Sequence, residues 1–334
     1  MAGGIKALSR IQLGWETTAG TAVAATTRWR GEGRIEDLRE TVFPKEDIGY
    51  ISGVDRTYVP KLGARITLDD TPATFEQLPY LLAMGVKSVI AGATDTGGSG
   101  KIYAYPFPTT AKNTIKTATV EGGDDQEAER MEYAFCESFK LSGKAGAAWL
   151  MGGSLLGRQV TLNAFAAATL PAVEEMLFGN SKLYIDLIAG SWGGTVKAQT
   201  LLGADIAMPK TGWHPKFTAD GALYFSYHEA GVPELTANVT FVHNAVAQAE
   251  KVNWRAQTAK LLRILVEGTT LTSAGATYSK KTAILDFAGK WEKFEKLGEQ
   301  DGNDVVTGLF RARYDPTGAK FANMTVVNQI SPLP

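Results

Sequence analysis

The stretch Gly92-Ala-Thr-Asp-Thr-Gly-Gly-Ser-Gly-Lys101 joins several glycines to a Gly-Lys pair, the residue types of a loop that wraps phosphate in backbone N–H groups. Such a loop needs an earlier glycine, separated from the Gly-Lys pair by four residues, and a hydroxyl after the lysine to reach Mg²⁺. Asp95 and Ile102 occupy those two places, so the stretch predicts a glycine-rich surface loop. Gly152-Gly-Ser-Leu-Leu-Gly157 is one residue too long for a nucleophile elbow, and Ser154 reads as a strand or turn residue. The three histidines, His214, His228 and His243, lack the i, i+4 spacing of a helical metal pair. Asp124 and Asp125 follow Gly122-Gly123 and run on into Glu127 and Glu129, the pattern of a solvated acidic turn. Cys136 has no basic neighbour in sequence to favour its thiolate and reads as a small apolar residue. Nowhere do a nucleophile, a base and an orienting group form a recognisable set. The sequence therefore predicts neither an enzyme nor a cofactor or metal site.

Binding or assembly then has to be sought in the elements. Val59-Pro-Lys-Leu-Gly-Ala-Arg-Ile-Thr-Leu68 returns as Val232-Pro-Glu-Leu-Thr-Ala-Asn-Val-Thr-Phe241, an offset of 173 residues in a chain of 334. Thr21–Thr26 recurs as Thr195–Thr200, and Gly146-Ala147 lines up with Gly318-Ala319. Three matches in order at nearly one offset predict a duplicated domain, residues 1–168 and 169–334, joined near the Ala-rich run from Ala164 to Pro171. Both copies of the longest match alternate apolar with polar or small residues, as half-buried strands do. Met131–Leu141 and Val305–Tyr314 predict longer strands, ending at Ser142-Gly-Lys144 and Asp315-Pro-Thr-Gly318. Lys260–Glu267 reads as a further strand. One helix per copy follows the matched strand. The first opens at Thr71-Pro72, carries Phe75, Leu78 and Leu82 on one face, and is shortened or kinked by Pro79. The second is capped by Asn244 and runs from Ala245 to about Ala259. The predicted class is mostly β: two tandem β-sandwich domains, each with a short flanking α-helix.

Bulk properties remove several functions. Hydrophobic residues make up 44% and charged residues 21%, a globular composition. Lys plus Arg number 34 against 35 Asp plus Glu, with 18 against 19 in residues 1–167, so neither half is a basic module built to grip phosphates. One cysteine rules out an intramolecular disulfide framework and fits a reducing compartment. The opening MAGGIKALSR lacks an apolar leader core, and the longest uncharged stretch, Gln159–Val173, is too short and polar to span a bilayer. A soluble product is expected.

Between the first matched segment and the matched strand of each half lies a long polar-aromatic loop, Arg39–Tyr58 and Pro209–Gly231. Loops of this length in compact domains tend to be functional. Phe43, Tyr50, Trp213, Phe217 and Tyr224 would be costly to leave in water, which predicts a partner surface over them. The other reading is that each loop folds back on its own domain as a hairpin.

Several segments resemble the tail tube (major tail) proteins of tailed bacteriophages. They are Trp15–Thr27 (WETTAGTAVAATT), Thr74–Gly85 (TFEQLPYLLAMG), Lys101–Pro108 (KIYAYPFP), Thr114–Glu121, Tyr133–Cys136 and Ser154–Arg158. The likeness is closest over residues 11–165 and weaker over 166–334. It implies β-sandwich domains that form rings, stacked into a hollow tube through which the genome passes. Family members with one such domain form hexameric rings, whereas two-domain members can form trimers with pseudo-sixfold symmetry, and the duplication favours the trimer. The implied partners are further copies of the chain, a tape measure protein in the lumen, tail terminator and distal tail proteins, and double-stranded DNA in transit. The implied place is the virion tail, made in the host cytoplasm. The long loops and the N-terminal segment then become candidate contacts between rings, at Trp15, Phe43, Pro44, Tyr50, Trp213, Phe217 and Tyr224. A lumen that lets DNA slide should be polar or acidic, with cations outside it or in interfaces. Two readings from other classes remain open. One is a different virion component, such as a tail terminator or capsid decoration protein. The other is a β-sandwich ligand-binding module using an exposed aromatic such as Trp213.

Overall fold

The computed structural model describes residues 3–334; Met1 and Ala2, the start of the opening read for a leader, lie outside it. In chain order the first half holds β1 (Arg10–Trp15), β2 (Thr27–Arg28), β3 (Gly33–Asp37), β4 (Glu40–Val42), β5 (Tyr58–Lys61), β6 (Ala64–Pro72), α1 (Leu78–Gly85), β7 (Ala93–Thr94), β8 (Lys101–Pro106), β9 (Ala118–Gly123), β10 (Ala128–Lys144), β11 (Leu150–Gly157) and β12 (Val160–Asn163). The second half holds β13 (Ser181–Leu187), β14 (Leu201–Lys210), β15 (Trp213–Lys216), β16 (Tyr227–Ala230), β17 (Glu234–Val242), α2 (Ala245–Arg255), β18 (Lys260–Thr270), β19 (Lys280–Phe294), β20 (Gly298–Gln300), β21 (Asn303–Ala312) and β22 (Ala322–Asn328). The fold is mostly β, and every pairing between named strands is antiparallel.

The same pairing scheme occurs twice. In the first half one layer runs β2–β1–β9–β10–β12 and the other β3–β6–β11–β10. In the second half β13–β18–β19–β22 and β14–β17–β21–β19 repeat both orders, and a Tyr184–Val196 bridge stands where β1 pairs with β2. β10 and β19 each belong to both layers of their half, so the pairings form one continuous, barrel-like network. A strand can pass between layers in this way where a bulge bends it. The register of β10 shifts between Met131 and Ala134 and again between Cys136 and Ser138, and that of β19 shifts between Trp291 and Lys293. Between the layers lies the core. Ile35 of β3 faces Gly122 of β9, and Ile11, Val120, Ile66, Leu155 and Leu141 all belong to the main buried cluster.

The matched decapeptides run into β6 and β17, and Thr21–Thr26 and Thr195–Thr200 border the equivalent short pairings. The third match does not correspond. Gly146 turns β10 into β11, whereas Gly318 lies in the turn between β21 and β22. β10 also continues through Ser142 to Lys144, because β14 pairs with that stretch and holds it extended where the sequence suggests a turn.

The helices differ from expectation in extent: α2 stops at Arg255, short of Ala259, because the chain turns left-handed at Gln257, with φ 54°. Asn244 caps α2, its Oδ1 accepting from the N–H groups of Val246 and Ala247. α1 begins later than predicted, at Leu78, and Pro79 sits in its first turn rather than kinking its middle. All of α1 is buried, whereas α2 buries only Ala247 and Glu250.

Two exchanges join the halves. β10 pairs with β14 from Phe139–Met208 to Lys144–Gly203, which fuses the second layers into a sheet of order β3–β6–β11–β10–β14–β17–β21–β19. β8, which has no counterpart after α2, leaves the first half and extends the second half's other layer by pairing with β22. Asp95, in the glycine-rich loop before β8, is buried and accepts from the N–H groups of Thr277 and Tyr278. That loop is therefore a clamp on the second half. Its aspartate does structural work at the place where a phosphate loop has glycine.

Candidate assembly surfaces

The residues with catalytic potential are scattered and mostly structural. Cys136 is fully buried, and burial raises its thiol pKa. His228 lies against Tyr133, Phe135 and Trp213, with Nδ1 3.1 Å from the Tyr133 hydroxyl. Burial, and then the charge of Lys112, lowers its pKa and favours the neutral ring. Asp124 Oδ1 accepts from the N–H groups of Gln126 and Glu127, closing the acidic turn on itself. No group of three or more His, Cys, Asp or Glu among the described residues is placed to hold a metal. No helix among them is long and apolar enough to cross a membrane.

The aromatic residues of the two long loops part company. Pro209–Gly231 folds into the β15–β16 hairpin and lies across the end of the first half. Its Trp213 is only 8% exposed and donates from Nε1 to the Gly85 carbonyl at the end of α1. Phe225 packs edge-on against Tyr133 and Phe135, and these four aromatics form a second buried cluster with Ile115 and Leu156. Trp213 is thus part of an internal joint and is not presented as a platform. Tyr224 is half-buried with the Arg158 guanidinium 5.1 Å from its ring, while Phe217 stays exposed with the Lys61 ammonium 4.8 Å away. Trp15 is half-buried, stacked on Tyr80 at 5.1 Å, and donates to the Leu333 carbonyl.

Arg158 is the centre of the joint. It follows β11, and its guanidinium donates to the carbonyls of Phe225 and Ser226 while lying 4.4 Å from the Tyr133 ring. A cation held over several aromatic faces gains roughly 0.5–2 kcal/mol beyond its hydrogen bonds. Tyr133 adopts a φ of 59°, unusual for a bulky residue, at the first bulge of β10. Glu16 holds it there. The buried Glu16 carboxylate accepts from the Tyr133 N–H at 2.7 Å, the Gly20 N–H, and the hydroxyls of Thr117 and Thr119. Gly20, at φ 80°, brings its backbone so close to Arg158 and Tyr133 that no side chain would fit. Glu16, Gly20, Tyr133 and Arg158 all lie in the segments quoted above for the family likeness, but their mutual contacts span up to 138 positions and carry no local signal.

The other loop stays open. Arg39–Tyr58 forms the short β4–β5 pairing and then an arm with little cover. Phe43 is 70% and Tyr50 75% exposed, with Ile48 and Ile51 also exposed and Pro44 half-buried.

Each end of the fused sheet carries a strand that is paired on one side alone among the described residues. Among the described residues β3 pairs only with β6. The Leu38 N–H donates to Gly63 and the Asp69 N–H to Glu32, so by the alternation of the ladder the N–H groups of Ile35 and Asp37 face away from β6. At the opposite end β20 continues β19 along β21, and from Lys290 onward β19 has β21 on one side alone. Its first-half counterpart, β10, has β11 on one side and β14 on the other.

The face of this sheet that turns away from the core is largely polar: Thr67, Asn238, Thr240 and Thr307 alternate with buried neighbours and Ser142 follows buried Leu141, with Leu150 and Leu309 among them. Three of its cations pair with carboxylates: Arg65 with Glu137, Lys140 with Asp70 and Arg311 with Glu292. Arg34, Lys144 and Lys290 have no such partner among the described residues.

No protein-family model matches the chain, and no curated protein is significantly similar to it.

Proposed function

We propose that this chain is a structural, self-assembling protein whose copies join side by side into a closed ring, with rings stacking into a hollow tube of the bacteriophage tail type. The observation that carries the reading is the β10–β14 junction. A first-half edge and a second-half edge already fit each other within one chain. The repeated pairing scheme leaves the same two kinds of edge free at the ends of the sheet, β19 and β3. Repeating the junction between chains pairs β19 of one copy with β3 of the next. A head-to-tail contact of this kind closes into a ring when its rotation permits, and closure removes every open edge. The family likeness implies three chains per ring.

In this reading the polar face of the fused sheet lines the lumen. Its paired cations and its serine, threonine and asparagine side chains give DNA few free positive charges to hold it. The chain takes no cofactor and catalyses nothing. By the same likeness its partners are a tape measure protein inside the tube and tail terminator and distal tail proteins at its ends, and its place is the virion tail.

Negative-stain microscopy of the purified chain beside Asp37→Pro tests this. Proline on an open strand edge removes an outward N–H without breaking the β3–β6 ladder. The unaltered chain should give rings or tubes, and the variant folded single chains. Dispersed single copies of the unaltered chain, or rings from the variant, would contradict the reading.

A further inference from the structure

The β15–β16 hairpin is inserted between β14 and β17, and the β4–β5 arm between β3 and β6, the corresponding pair of strands. The hairpin does not rest on its own half. It crosses the β10–β14 junction and covers the preceding half of the same chain. The half preceding the first in a ring is the second half of the neighbouring copy.

We infer that the β4–β5 arm docks on the second half of the adjacent copy in the same ring, gripped there by Arg313 as Arg158 grips the hairpin; this rests on the ring reading above. Arg158 follows β11 and its N–H donates to the Glu132 carbonyl of β10. Arg313 follows β21 and its N–H donates to the Ala288 carbonyl of β19. Both arginines thus meet the central strand of their half where it changes layer. Arg313 lies two residues beyond Arg311, the residue that the β6–β17 offset of 173, carried across the β6–β11 and β17–β21 registers, matches to Arg158. The Arg158 guanidinium is filled by hairpin carbonyls and aromatic rings, whereas among the described residues the exposed Arg313 guanidinium has no hydrogen bond or ion pair.

Arg313 borders an open cleft of about 460 Å³ that also presents Lys112, Phe107, Tyr314, Val232 and Pro233. Val232, 82% exposed, marks the far side of this docking place. In the first half the residues just after Val59-Pro60 receive the hairpin tip, since the Leu62 N–H donates to the Leu223 carbonyl and Lys61 lies over Phe217. Val232-Pro233 repeats that dipeptide at the matching position of the second half, where Val232 stands exposed. The arm supplies what the cleft lacks: exposed Phe43, Tyr50 and Ile51, and carboxylates at Asp47 and Asp55 to face Lys112 and Arg313.

The test places the photo-crosslinker benzoylphenylalanine at Tyr50 of the full chain and mixes light with nitrogen-15-labelled copies before assembly. After irradiation, mass spectrometry should find mixed-isotope crosslinks from position 50 to peptides holding Val232-Pro233 or Arg313-Tyr314. Rings whose crosslinks run to the opposite end of the molecule, around Gly146 or Asn244, would overturn this docking, because that end belongs to the next ring in a stack, and would leave the ring intact. Absence of rings by microscopy would overturn the ring reading and this docking with it. As a second readout, Arg313→Ala should leave the melting temperature of the single chain unchanged and raise the concentration needed for assembly at least about tenfold. Unchanged assembly would also overturn it.

Discussion

Glu16 shows how one buried carboxylate can set a distant surface. Its hydrogen bonds hold Tyr133 in a left-handed conformation, and the ring so placed supports Arg158, which grips the second-half hairpin. Glu16→Ala would strand buried donors on Tyr133, Gly20, Thr117 and Thr119, and such donors cost about 1–3 kcal/mol each when left unpaired. We expect a loss of at least about 2 kcal/mol in denaturant unfolding, with faster proteolysis of the hairpin. Trp213→Ala should cost about 3–5 kcal/mol, because it empties a closed aromatic site and orphans the Gly85 carbonyl. A change under about 1 kcal/mol would mean that the hairpin is not anchored there. The sequence marked Trp213, Phe217 and Tyr224 as needing cover, which the solvation cost of aromatics makes legible. Which surface covers Trp213 was not legible, since Gly85 and Phe135 lie 128 and 78 positions away.

At the scale of elements, alternation exposed β6 and β17, and the Asn244 cap located the start of α2, because both signals lie within a few residues. Signals that depend on a partner strand were lost. β10 outruns its predicted end because β14 extends it, and β8 leaves its own half for β22. The halves are further pinned by Lys281 of β19, whose ammonium lies 2.6 Å from Glu76 and 3.1 Å from Glu174 in the connecting segment. Burial opposes the charge on Lys281, yet its hydrogen bonds and the charges of Glu76 and Glu174 raise its pKa. Burial opposes ionisation of Glu174 too, but hydrogen bonds from Thr269 and the contacts with Lys281 lower its pKa. The lysine's contribution is therefore complete below its ordinary pKa and fades only as pH rises through the raised value. The carboxylate's contribution is present above the ordinary glutamate pKa and disappears as pH falls through the lowered one. Acid, not neutral pH, should loosen the connecting segment. Melting temperature followed from neutrality into the acid range should fall less steeply for Glu174→Gln than for the unaltered chain, and identical slopes would count against the triad.

Across the whole molecule, the repeat has consequences beyond doubling the fold. The longest match at offset 173 located the corresponding strands, and the pairing scheme extends that correspondence through both layers, while the Gly146–Gly318 match joins unlike turns. What the sequence could not display is that two corresponding edges meet inside the chain and two remain open at its ends. The copies also differ, since β8 and the clamp around Asp95 exist in one half only, so a ring of such chains alternates two kinds of sandwich. Assembly by this route repeats the internal β10–β14 junction between chains. Electron cryomicroscopy of the assembled protein, at a resolution that traces strands, tests it most directly. The expected map shows a closed ring of three chains in which β3 of each copy is antiparallel to β19 of the next, with the polar sheet face inward. Rings joined through other surfaces, or β3 and β19 left open to solvent in the assembly, would contradict it.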